Sequence, residues 1–347
     1  MSNLSVHKDK ILLSIAIPTR NRHTFLDKSL KSLNAQIEEC DSLIEIIVSD
    51  NSDNNLTKEV VERYNLLNLN IIYKRNLNNI GSDANVAQCF NMSKGKYVHI
   101  FCDDDIYCKN TLRKVLDEIK KRDYGSIFLR PYGFFEDHEK EYPLNLNHKN
   151  SALNKNDFLL KISAQMTLAS ANIINKSLIN DVDANIYCGT NLVQVNLLLE
   201  AVTRSESCYY FKDYIIGIQK NNSGGYDLYD VFINNFGSIL QSYVERGLID
   251  EDLKQRIECK NIKCFYPSYI FRSMYYLNEK QYKIENKFKI LHKYNCYKFF
   301  IYPIFKLPYH LSLIWCFFII IYGRFIYGDI SLLINFLKNI RKEIIFK

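Results

Sequence analysis

The chain has 347 residues, enough for about two domains and for a large buried core. Hydrophobic residues make up 47% of it and charged residues 24%, which is ordinary for globular proteins and excludes a disordered or fibrous chain. The formal net charge of +7 is unevenly spread: residues 1–225 carry 27 basic and 27 acidic side chains, whereas residues 226–347 carry 18 and 11. This asymmetry predicts an anionic partner for the C-terminal third.

The ten cysteines and seven histidines form no metal-binding pattern, because the chain contains neither a C-x-x-C nor an H-x₃-H spacing. We therefore expect no zinc site, and reduced thiols as in a cytosolic compartment. The first ten residues include Asp9 and no apolar run, so no secretory signal is expected.

The first 130 residues alternate short apolar runs with helical patterns. The apolar runs predict strands at residues 12–18, 44–48, 69–73, 97–101 and 126–129. The helical patterns predict a helix that begins at Thr24 and further helices at about 57–64, 82–92 and 110–121. Strands separated by helices of this length are typical of βαβ units, so we predict an α/β fold with a mostly parallel sheet and flanking helices.

Polar side chains follow four of the predicted strands, at the point where each strand ends. They are Thr19, Asp50, Arg75 and the triplet Asp103–Asp105. Ligands of parallel α/β sheets bind beyond the carboxyl ends of the strands, where the strand order reverses. The four segments are therefore predicted to meet in one crevice.

The triplet Asp103–Asp105 is the strongest chemical signal in the sequence. Adjacent carboxylates in a partly desolvated crevice repel one another, and a divalent cation relieves that repulsion. Oxygen ligands suit Mg²⁺ or Mn²⁺, and a diphosphate can complete the coordination. The alternative is a solvated acidic turn, which the strand directly before the triplet makes less favourable.

From residue 131 to residue 225 the pattern is less regular. It predicts a loop at 131–150, helices at about 158–164 and 192–202, strand-like segments at 168–174, near 209 and at 215–218, and a flexible loop at 221–225. We predict one domain over residues 1–225, with a nucleotide-binding half at 11–130 and an acceptor half at 131–225. Residues 226–347 are predicted to be a basic, aromatic-rich helical region that associates with membranes.

Residues 311–322 are twelve consecutive residues without a charge, flanked by Lys298, Lys306 and Arg324. A membrane-spanning helix needs about 20 apolar residues, so this run is short for that purpose. Its basic flanks favour a helix in the interface of an anionic leaflet. A buried helix of the C-terminal domain is the alternative.

Four segments in chain order resemble the family 2 glycosyltransferases, whose fold is called GT-A. They are S-I-A-I-P-T-R-N-R at 14–22, I-I-V-S-D-N-S at 46–52, N-I-G-S-D-A-N at 79–85 and F-C-D-D-D at 101–105. Each segment is weakly specific alone, but together and in this order they are specific. The asparagine- and glycine-containing turns also resemble the O-antigen branch of the family, which includes abequosyltransferases.

The resemblance implies roles for particular residues. Thr19 and Asp50 would contact the nucleoside, Arg75 would lie beside the base or the phosphates, and Asn85 would order the donor loop. Asp105 would bind the metal, while Asp103 or Asp104 would hold the ribose or a metal-bound water, since the register of the triplet is ambiguous. The complete set implied for nucleotide-sugar binding is Pro18, Thr19, Asn21, Asp50, Arg75, Gly81, Asn85, Asp103 and Asp104.

The sequence departs from the family pattern in two places. Arg20 stands where an aromatic residue is usual, so guanidinium stacking would replace aromatic stacking on the base. The family's E-D pair, which supplies the general base, has no match in C-G-T-N-L at 188–192, and we select Asp183 as the nearby candidate base. Lys220 lies beside the flexible loop 221–225 and is a candidate lid residue.

These observations predict an enzyme that transfers a sugar from a nucleotide-sugar to a saccharide acceptor in bacterial surface polysaccharide or O-antigen synthesis. The basic tail fits an acceptor linked to a polyprenyl diphosphate, and it places the protein peripherally on the cytoplasmic face of the inner membrane. A sugar-nucleotide nucleotidyltransferase and a non-catalytic nucleotide-binding protein are the alternatives. The first lacks its Gly-rich loop after the first strand, while the missing E-D pair keeps the second open. No nucleic-acid partner is expected, because the core is neutral.

Overall fold

A computed structural model of the chain describes residues 11–37, 41–143, 150–220, 227, 229–275, 277 and 279–326. Within those residues the chain divides into two compact units. The first takes in 11–142, 150–158 and 166–220, and the second takes in 143, 159–165 and 227–326. The predicted domain boundary and the predicted loop at 221–225 both lie outside the described residues.

The first unit is built on a single sheet. Its strands are β1 (Leu13–Thr19), β2 (Ile44–Asp50), β3 (Ile71–Arg75), β4 (Tyr97–Ile100), β5 (Ile106–Tyr107), β6 (Ser126–Phe134), β7 (Ser151–Leu153), β8 (Asn172–Asn175) and β9 (Cys208–Gln219). The helices that accompany them are α1 (His23–Ile37), α2 (Leu56–Leu66), α3 (Ser82–Met92), α4 (Thr111–Lys121) and α6 (Val193–Thr203), whereas α5 (Lys155–Ile162) begins in the first unit and ends in the second. The strand order is β3-β2-β1-β4-β8-β6-β9-β5, and β7 pairs with β9.

The first four strands are parallel and form the predicted βαβ series. Their pairing brings Thr19 opposite Asp50, and Asp50 opposite Arg75, so these strand ends lie side by side. The chain runs outward from β1 to β2 and β3 and then returns to the other side of β1 to form β4. The order therefore reverses between β1 and β4, and the predicted crevice lies at their carboxyl ends.

The strands β1, β2 and β4 are buried along almost their whole length, as their continuous apolar sequences predict. Helix α4 instead buries one face, because Leu112, Val115, Leu116 and Ile119 recur at helical spacing. Sequence periodicity is therefore sufficient to predict both kinds of element in this half of the unit.

The second half of the sheet differs from the prediction in detail. β8 pairs antiparallel with β4 and β6, and β5 and β7 pair antiparallel with β9, so the sheet is mixed. The predicted loop from residue 131 is instead the continuation of β6, with a register shift between Leu129 and Pro131. The shift accommodates a proline, which has no N–H to donate to a ladder. The two strands predicted around residues 209 and 215–218 are the single strand β9.

The second unit is helical, as the sequence predicts. Its helices are α7 (Phe236–Glu245), α8 (Glu251–Cys264), α9 (Tyr266–Tyr275), α10 (Gln281–Phe288), α11 (Asn295–Phe300), α12 (Tyr302–Lys306) and α13 (Tyr309–Ile326). Buried aromatic and aliphatic side chains of these helices form a core of their own, which includes Ile262, Ile270, Phe288 and Ile301.

Helix α13 contains the charge-free run and is longer than that run, at 18 residues with a mean hydropathy of 1.6. Among the described residues it is the one helix long and apolar enough to cross a membrane. One side of it is buried, at Ser312, Cys316, Ile319, Ile320 and Gly323. A Cβ atom at Gly323 would lie 2.6 Å from the carbonyl oxygen of Lys263, so this glycine permits a close crossing with α8.

Candidate active site

The loop after β4 carries the three aspartates into the crevice between β1 and β4. The loop is fixed at both ends, because β4 pairs with β1, and β5 pairs with β9 directly after Asp105. Thr19 at the end of β1 donates a hydrogen bond from Oγ1 to Oδ2 of Asp103, over 2.6 Å. The two strand ends that the sequence predicts to meet are therefore in direct contact.

Asp105 is nearly inaccessible, with 3% of its surface exposed. The backbone N–H of Gln219, at the end of β9, donates to its Oδ1 over 3.1 Å. Burial and, to a smaller extent, the charge of the adjacent Asp104 raise the pKa of Asp105 to about 8. Without a bound cation this carboxyl group therefore holds its proton at neutral pH.

Asp103 is also buried, and burial raises its pKa to about 7 even though Arg22 and Thr19 act in the opposite direction. Arg22 lies in the loop between β1 and α1 and contacts two aspartates at once. Its Nε is 3.1 Å from Oδ1 of Asp103, and its Nη2 is 2.6 Å from Oδ2 of Asp104. Two of the three carboxylates thus share one protein cation.

The donor atoms at this position fit a hard divalent cation. Single ligand atoms of Cys102, Asp104 and Asp105 all lie within 4.8 Å of one another. Burial raises the pKa of the Cys102 thiol well above its usual value, so the thiol stays protonated and is a poor ligand. The two carboxylates remain, and carboxylate oxygens are the ligands that Mg²⁺ and Mn²⁺ prefer.

Asp50 lies at the end of β2 and is fully buried. The backbone N–H of Ser52 donates to its Oδ1 over 2.8 Å, and the hydroxyl of Tyr73 donates to its Oδ2 over 2.7 Å. Burial and the Asp50 carboxylate together raise the pKa of the Tyr73 phenol, so the phenol remains a donor. The carboxylate is therefore held in one orientation at the strand end.

Asn85 on α3 joins the ends of β1 and β2. Its Oδ1 accepts from the hydroxyl of Ser49 over 2.5 Å, and its Nδ2 donates to the carbonyl oxygens of Ser49 and Thr19 over 3.1 and 3.4 Å. The side chain is buried. Asn85 thus fixes the start of α3 against the crevice.

The remaining predicted binding residues lie around the same edge of the sheet. Pro18 pairs with Ser49 within the β1–β2 ladder. Asn21 has a left-handed backbone, with φ of 54°, and donates its N–H to Oγ of Ser52 over 2.8 Å. Gly81 also has a positive φ, 89°, and accepts from the side chain of Asn51.

Arg75 lies further from the aspartates than the other predicted residues. It ends β3, which is separated from β4 by β2 and β1, or roughly 14 Å at about 4.8 Å per strand. Its guanidinium donates to the side chain of Asn55. Of the predicted set, Thr19, Asn85 and Asp103–Asp105 are brought together most closely.

Asp183, the predicted base, has a structural role in this arrangement. Its carboxylate accepts from the backbone N–H of Asn185 and caps the short 3₁₀ helix Ala184–Tyr187. It also accepts from Asn91, at the C-terminal end of α3. Because α3 starts at the crevice and runs away from it for 11 residues, about 16 Å, Asp183 lies at the distant end.

The segment that takes the position of the family's E-D pair does return to the crevice. Asp83, the second residue of α3, accepts through Oδ2 from the backbone N–H groups of Gly189 and Asn191, over 2.7 and 2.9 Å. Gly189 and Asn191 both have positive φ, at 100° and 55°. A carboxylate on α3 therefore fixes an unusual loop conformation at the site entrance.

Sequence reasoning gave no role to Arg22, Asp83, Ser170 or Gln219, all of which contact the site or its loops. Arg22 lies in the P-T-R-N-R segment at 18–22, and its position in this motif is the one sequence feature that could have indicated a role in the site. Ser170 accepts the backbone N–H of Cys102 through its Oγ over 2.8 Å. Ser170 and Gln219 lie more than 60 residues from the triplet, and no local pattern marks them.

Two open depressions elsewhere in the chain are distinct from this site. One, of about 520 Å³, is lined by Asn154–Asn156 and Thr203–Glu206 in the first unit. The other, of about 480 Å³, lies in the second unit, between α10 and Tyr309. Neither is lined by the aspartates or by any buried ionisable cluster, so chemistry favours the crevice over either depression.

The family described as "Glycosyl transferase family 2" matches residues 14–182, the segment that contains β1 to β4 and the aspartates. Residues 14–182, just under half of the chain, are therefore similar to a family 2 glycosyltransferase domain. The abequosyltransferase RfbV of Salmonella typhimurium is 39% identical over 103 residues, which are 29% of this chain and 31% of that protein. All four sequence motifs lie within the segment that the family matches, residues 14–182.

Two further similarities extend beyond the motifs. A Campylobacter jejuni protein named GalNAc(5)-diNAcBac-PP-undecaprenol beta-1,3-glucosyltransferase is 27% identical over 194 residues, covering 54% of this chain and 60% of that protein. The chain thus spans 31% and 60% of the length of these two relatives. The crystal structure of S. aureus TarS 1–349 with UDP-GlcNAc has the same fold, with a TM-score of 0.58 and 16% identity over 90% of this chain and 81% of that one.

Proposed function

We propose that the protein transfers a sugar from a nucleoside diphosphate-sugar to a hydroxyl group of a saccharide acceptor, with the help of Mg²⁺ or Mn²⁺. One observation carries this proposal: the aspartates of a family 2 domain meet Thr19 at the reversal point of the sheet. Such a reversal point is where α/β sheets bind nucleotides.

Each residue of the crevice has a place in the proposed reaction. Asp104 and Asp105 would hold the cation, which when bound neutralises negative charge on the departing diphosphate. Thr19 and Asp50 would contact the nucleoside, and Asn85 would keep their strand ends together. Arg75 would lie toward the base. We leave Asp183 out of this proposal as the base, because a base must lie within hydrogen-bonding reach of the acceptor hydroxyl.

The backbone of the crevice supports the same proposal. Pro18, the residue before the end of β1, has no N–H group, and the backbone turns at the same edge at Asn21 and Gly81, which have positive φ values. The N–H groups of Asn21 and Gly81 donate to Oγ of Ser52 and to Oδ1 of Asn79, so both turns are fixed at the edge where a nucleotide-sugar would bind. We therefore include all three in the nucleotide-sugar site.

We further propose that the second unit binds an anionic membrane through α13. The exposed side of this helix forms an apolar stripe that runs along its length. Leu311, Ile314, Phe318 and Phe325 are each more than half exposed, and they recur every three or four residues, or after two turns. The opposite side is buried, so a helix lying in the interface is better supported than a spanning helix.

The charge around α13 is complementary to such a membrane. Residues 281–326 contain seven lysines and arginines and a single acidic residue, Glu285, a net charge of +6. This segment alone accounts for nearly all of the +7 of the chain. Basic residues beside an apolar helix face are attracted to anionic lipids.

A membrane-bound enzyme can reach an acceptor that is itself anchored in lipid. The name of the Campylobacter relative includes a PP-undecaprenol-linked saccharide, which is consistent with a polyprenyl-diphosphate-linked acceptor here. We therefore propose a peripheral enzyme on the cytoplasmic face of the inner membrane, acting in surface polysaccharide or O-antigen synthesis.

The catalytic proposal is tested by screening UDP-, GDP-, CDP- and dTDP-sugars with Mn²⁺ present. We expect one nucleotide class to raise the melting temperature in a metal-dependent way and to release its nucleoside diphosphate during turnover. Asp105→Asn is expected to abolish both effects. If no nucleotide shifts the melting temperature of the wild-type chain, the proposal fails.

The membrane proposal is tested by vesicle flotation with 30% anionic lipid. The double variant Ile314→Ser/Phe318→Ser should reduce binding several-fold. Leu66→Ser/Leu77→Ser is the matched control, because Leu66 and Leu77 are more exposed still but lie in the first unit. Equal binding by the two double variants would show that α13 is not the membrane-binding surface.

A further inference from the structure

Arg22 is the protein cation nearest to the proposed metal ligands among the described residues. It pairs with both Asp103 and Asp104, and its side chain is 30% exposed. Its Nε and Nη2 are buried, and each lies at ion-pair distance from an aspartate. The attraction of Asp103 and Asp104 therefore holds the guanidinium in place.

This ion pair conflicts with metal binding. Asp104 contributes a ligand atom to the candidate metal cluster, and its other role is to pair with Arg22. A divalent cation on the same carboxylate would lie only a few ångströms from the guanidinium, and two like charges in a partly desolvated crevice repel strongly. Metal and Arg22 therefore compete for Asp104 unless a further anion is present.

A nucleotide-sugar supplies that anion as its diphosphate. A guanidinium binds phosphate oxygens readily and through two N–H groups at once. The two nitrogens that pair with the aspartates are buried, but 30% of the Arg22 side chain is exposed, and its contact with the ring of Phe25, at 5.1 Å from guanidinium carbon to centroid, is weak. A rotation of the side chain toward solvent would therefore release Asp103 and Asp104.

We propose that Arg22 is an exchangeable counter-ion: it neutralises Asp103 and Asp104 in the free enzyme and moves to the diphosphate when the donor and the metal bind. The inference rests on the metal site of the proposed function and adds an order of events to it. The metal binds weakly to the free enzyme, and it binds tightly only together with a nucleoside diphosphate. The arrangement therefore disfavours binding of a divalent cation to the buried carboxylates when no nucleotide-sugar is present.

The test is a titration of the full chain with Mn²⁺, followed by electron paramagnetic resonance of the free ion. It is run with and without each of UDP, GDP, CDP and dTDP. For the wild type we expect weak Mn²⁺ binding alone and at least tenfold tighter binding with one nucleotide. In Arg22→Met the ion alone should bind about tenfold tighter than in the wild type, and the enhancement by the nucleotide should shrink.

Two control variants separate competition from general electrostatics. Arg20→Met removes the same charge from an exposed position in the same loop, and in the absence of nucleotide it should leave Mn²⁺ binding near the wild-type value. Arg22→Lys keeps the positive charge beside Asp103 and Asp104, and it should keep Mn²⁺ binding weak. Melting curves verify that each variant is folded.

The possible failures are distinguishable. If Arg22→Met binds Mn²⁺ no tighter than Arg20→Met does, the counter-ion proposal is overturned while the metal site stands. If the wild-type chain binds no Mn²⁺ with or without any of the nucleotides, the metal site itself is refuted and the counter-ion proposal falls with it.

Discussion

The two units of the chain each bury acidic side chains, but in different surroundings. In the first unit Asp103 and Asp105 lie in a loop between strands, and burial raises their pKa values to about 7 and about 8. In the second unit Glu258 lies on α8, and burial raises its pKa to about 7. Burial is the first cause of the raised pKa in both places, and the rise is largest for Asp105 and smallest for Glu258.

What differs is the origin of the neighbouring groups. The partner of Glu258 is the hydroxyl of Tyr266, eight residues along the chain and 3.3 Å from its Oε2. Asp103 and Asp105 instead receive contacts from Thr19 and Gln219, at the ends of two distant strands, and Asp103 shares the cation of Arg22 with the neighbouring Asp104. A raised pKa alone therefore does not identify a site, whereas convergence of several elements on adjacent carboxylates does.

The largest expected effect is that of Asp105→Asn. The variant keeps the size of the side chain and removes a proposed metal ligand, so transfer should fall at least 100-fold, or about 3 kcal/mol in transition-state free energy. The variant no longer buries this ionisable group. Without metal, its free energy of unfolding above pH 8 should therefore be no lower than that of the wild type. Steady-state kinetics with the donor identified in the screen, together with pH-dependent melting, would measure both. If this variant kept full activity, the buried aspartates of the first unit would have no more functional importance than Glu258 in the second.

Glu258→Gln should change stability and leave catalysis intact. Since the folded pKa is raised from 4.5 to about 7, the carboxyl group stabilises the fold fully below pH 4.5 and loses that contribution as pH rises toward 7. The loss amounts to roughly 3 kcal/mol at about 1.4 kcal/mol per pKa unit. Chemical denaturation should therefore show that the free energy of unfolding changes less between pH 5 and pH 8 in the variant than in the wild type. A variant that loses transfer activity while its melting curve is unchanged would contradict the structural role.

Asp83 offers a smaller and more specific test of the loop at the site entrance. Asp83→Ala removes the acceptor for the N–H groups of Gly189 and Asn191, so transfer should fall about tenfold, chiefly through a higher KM for the acceptor. Asp83→Asn retains an oxygen acceptor and should retain most activity. Equal, complete inactivation of both variants would instead identify Asp83 as a group whose charge the reaction needs.

The smallest expected effect is that of Tyr73→Phe. It removes the hydroxyl that donates to Asp50, which is fully buried at the end of β2. The cost should be about 1 kcal/mol in stability, because one of the two hydrogen bonds to the carboxylate is lost. Donor affinity, measured by calorimetry, should fall a few-fold. An unchanged affinity and stability would mean that Ser52 alone orients Asp50.

The sequence predicts the parallel half of the sheet well, because its elements have clear periods. The predicted helix at 82–92 coincides with α3, and the predicted strands 44–48 and 97–101 lie within two residues of β2 and β4. The second half was harder to predict because tertiary pairing determines it. β6 continues through Pro131 only because β9 pairs alongside it and a register shift accommodates the proline.

The site shows the same division. Asp103–Asp105 and Thr19 are detectable from sequence because each follows a strand whose end is itself predictable. The contacts of Gln219, at the end of β9, and of Ser170, in the 3₁₀ helix Ala169–Ala171, involve segments far along the chain, and no local sequence pattern predicts them. Asp183 was selected for its type and its proximity in sequence, but its carboxylate caps a 3₁₀ helix beside the distant end of α3.

The central claim is that the carboxylates beyond β4 bind a cation together with a nucleotide-sugar. The most direct measurement is an anomalous difference map from crystals grown with Mn²⁺ and the donor that stabilises the protein. The account predicts one peak roughly 2.0–2.3 Å from a carboxylate oxygen of Asp105, with the diphosphate on its other side. A bound donor with no anomalous peak beside Asp104 or Asp105 would contradict it.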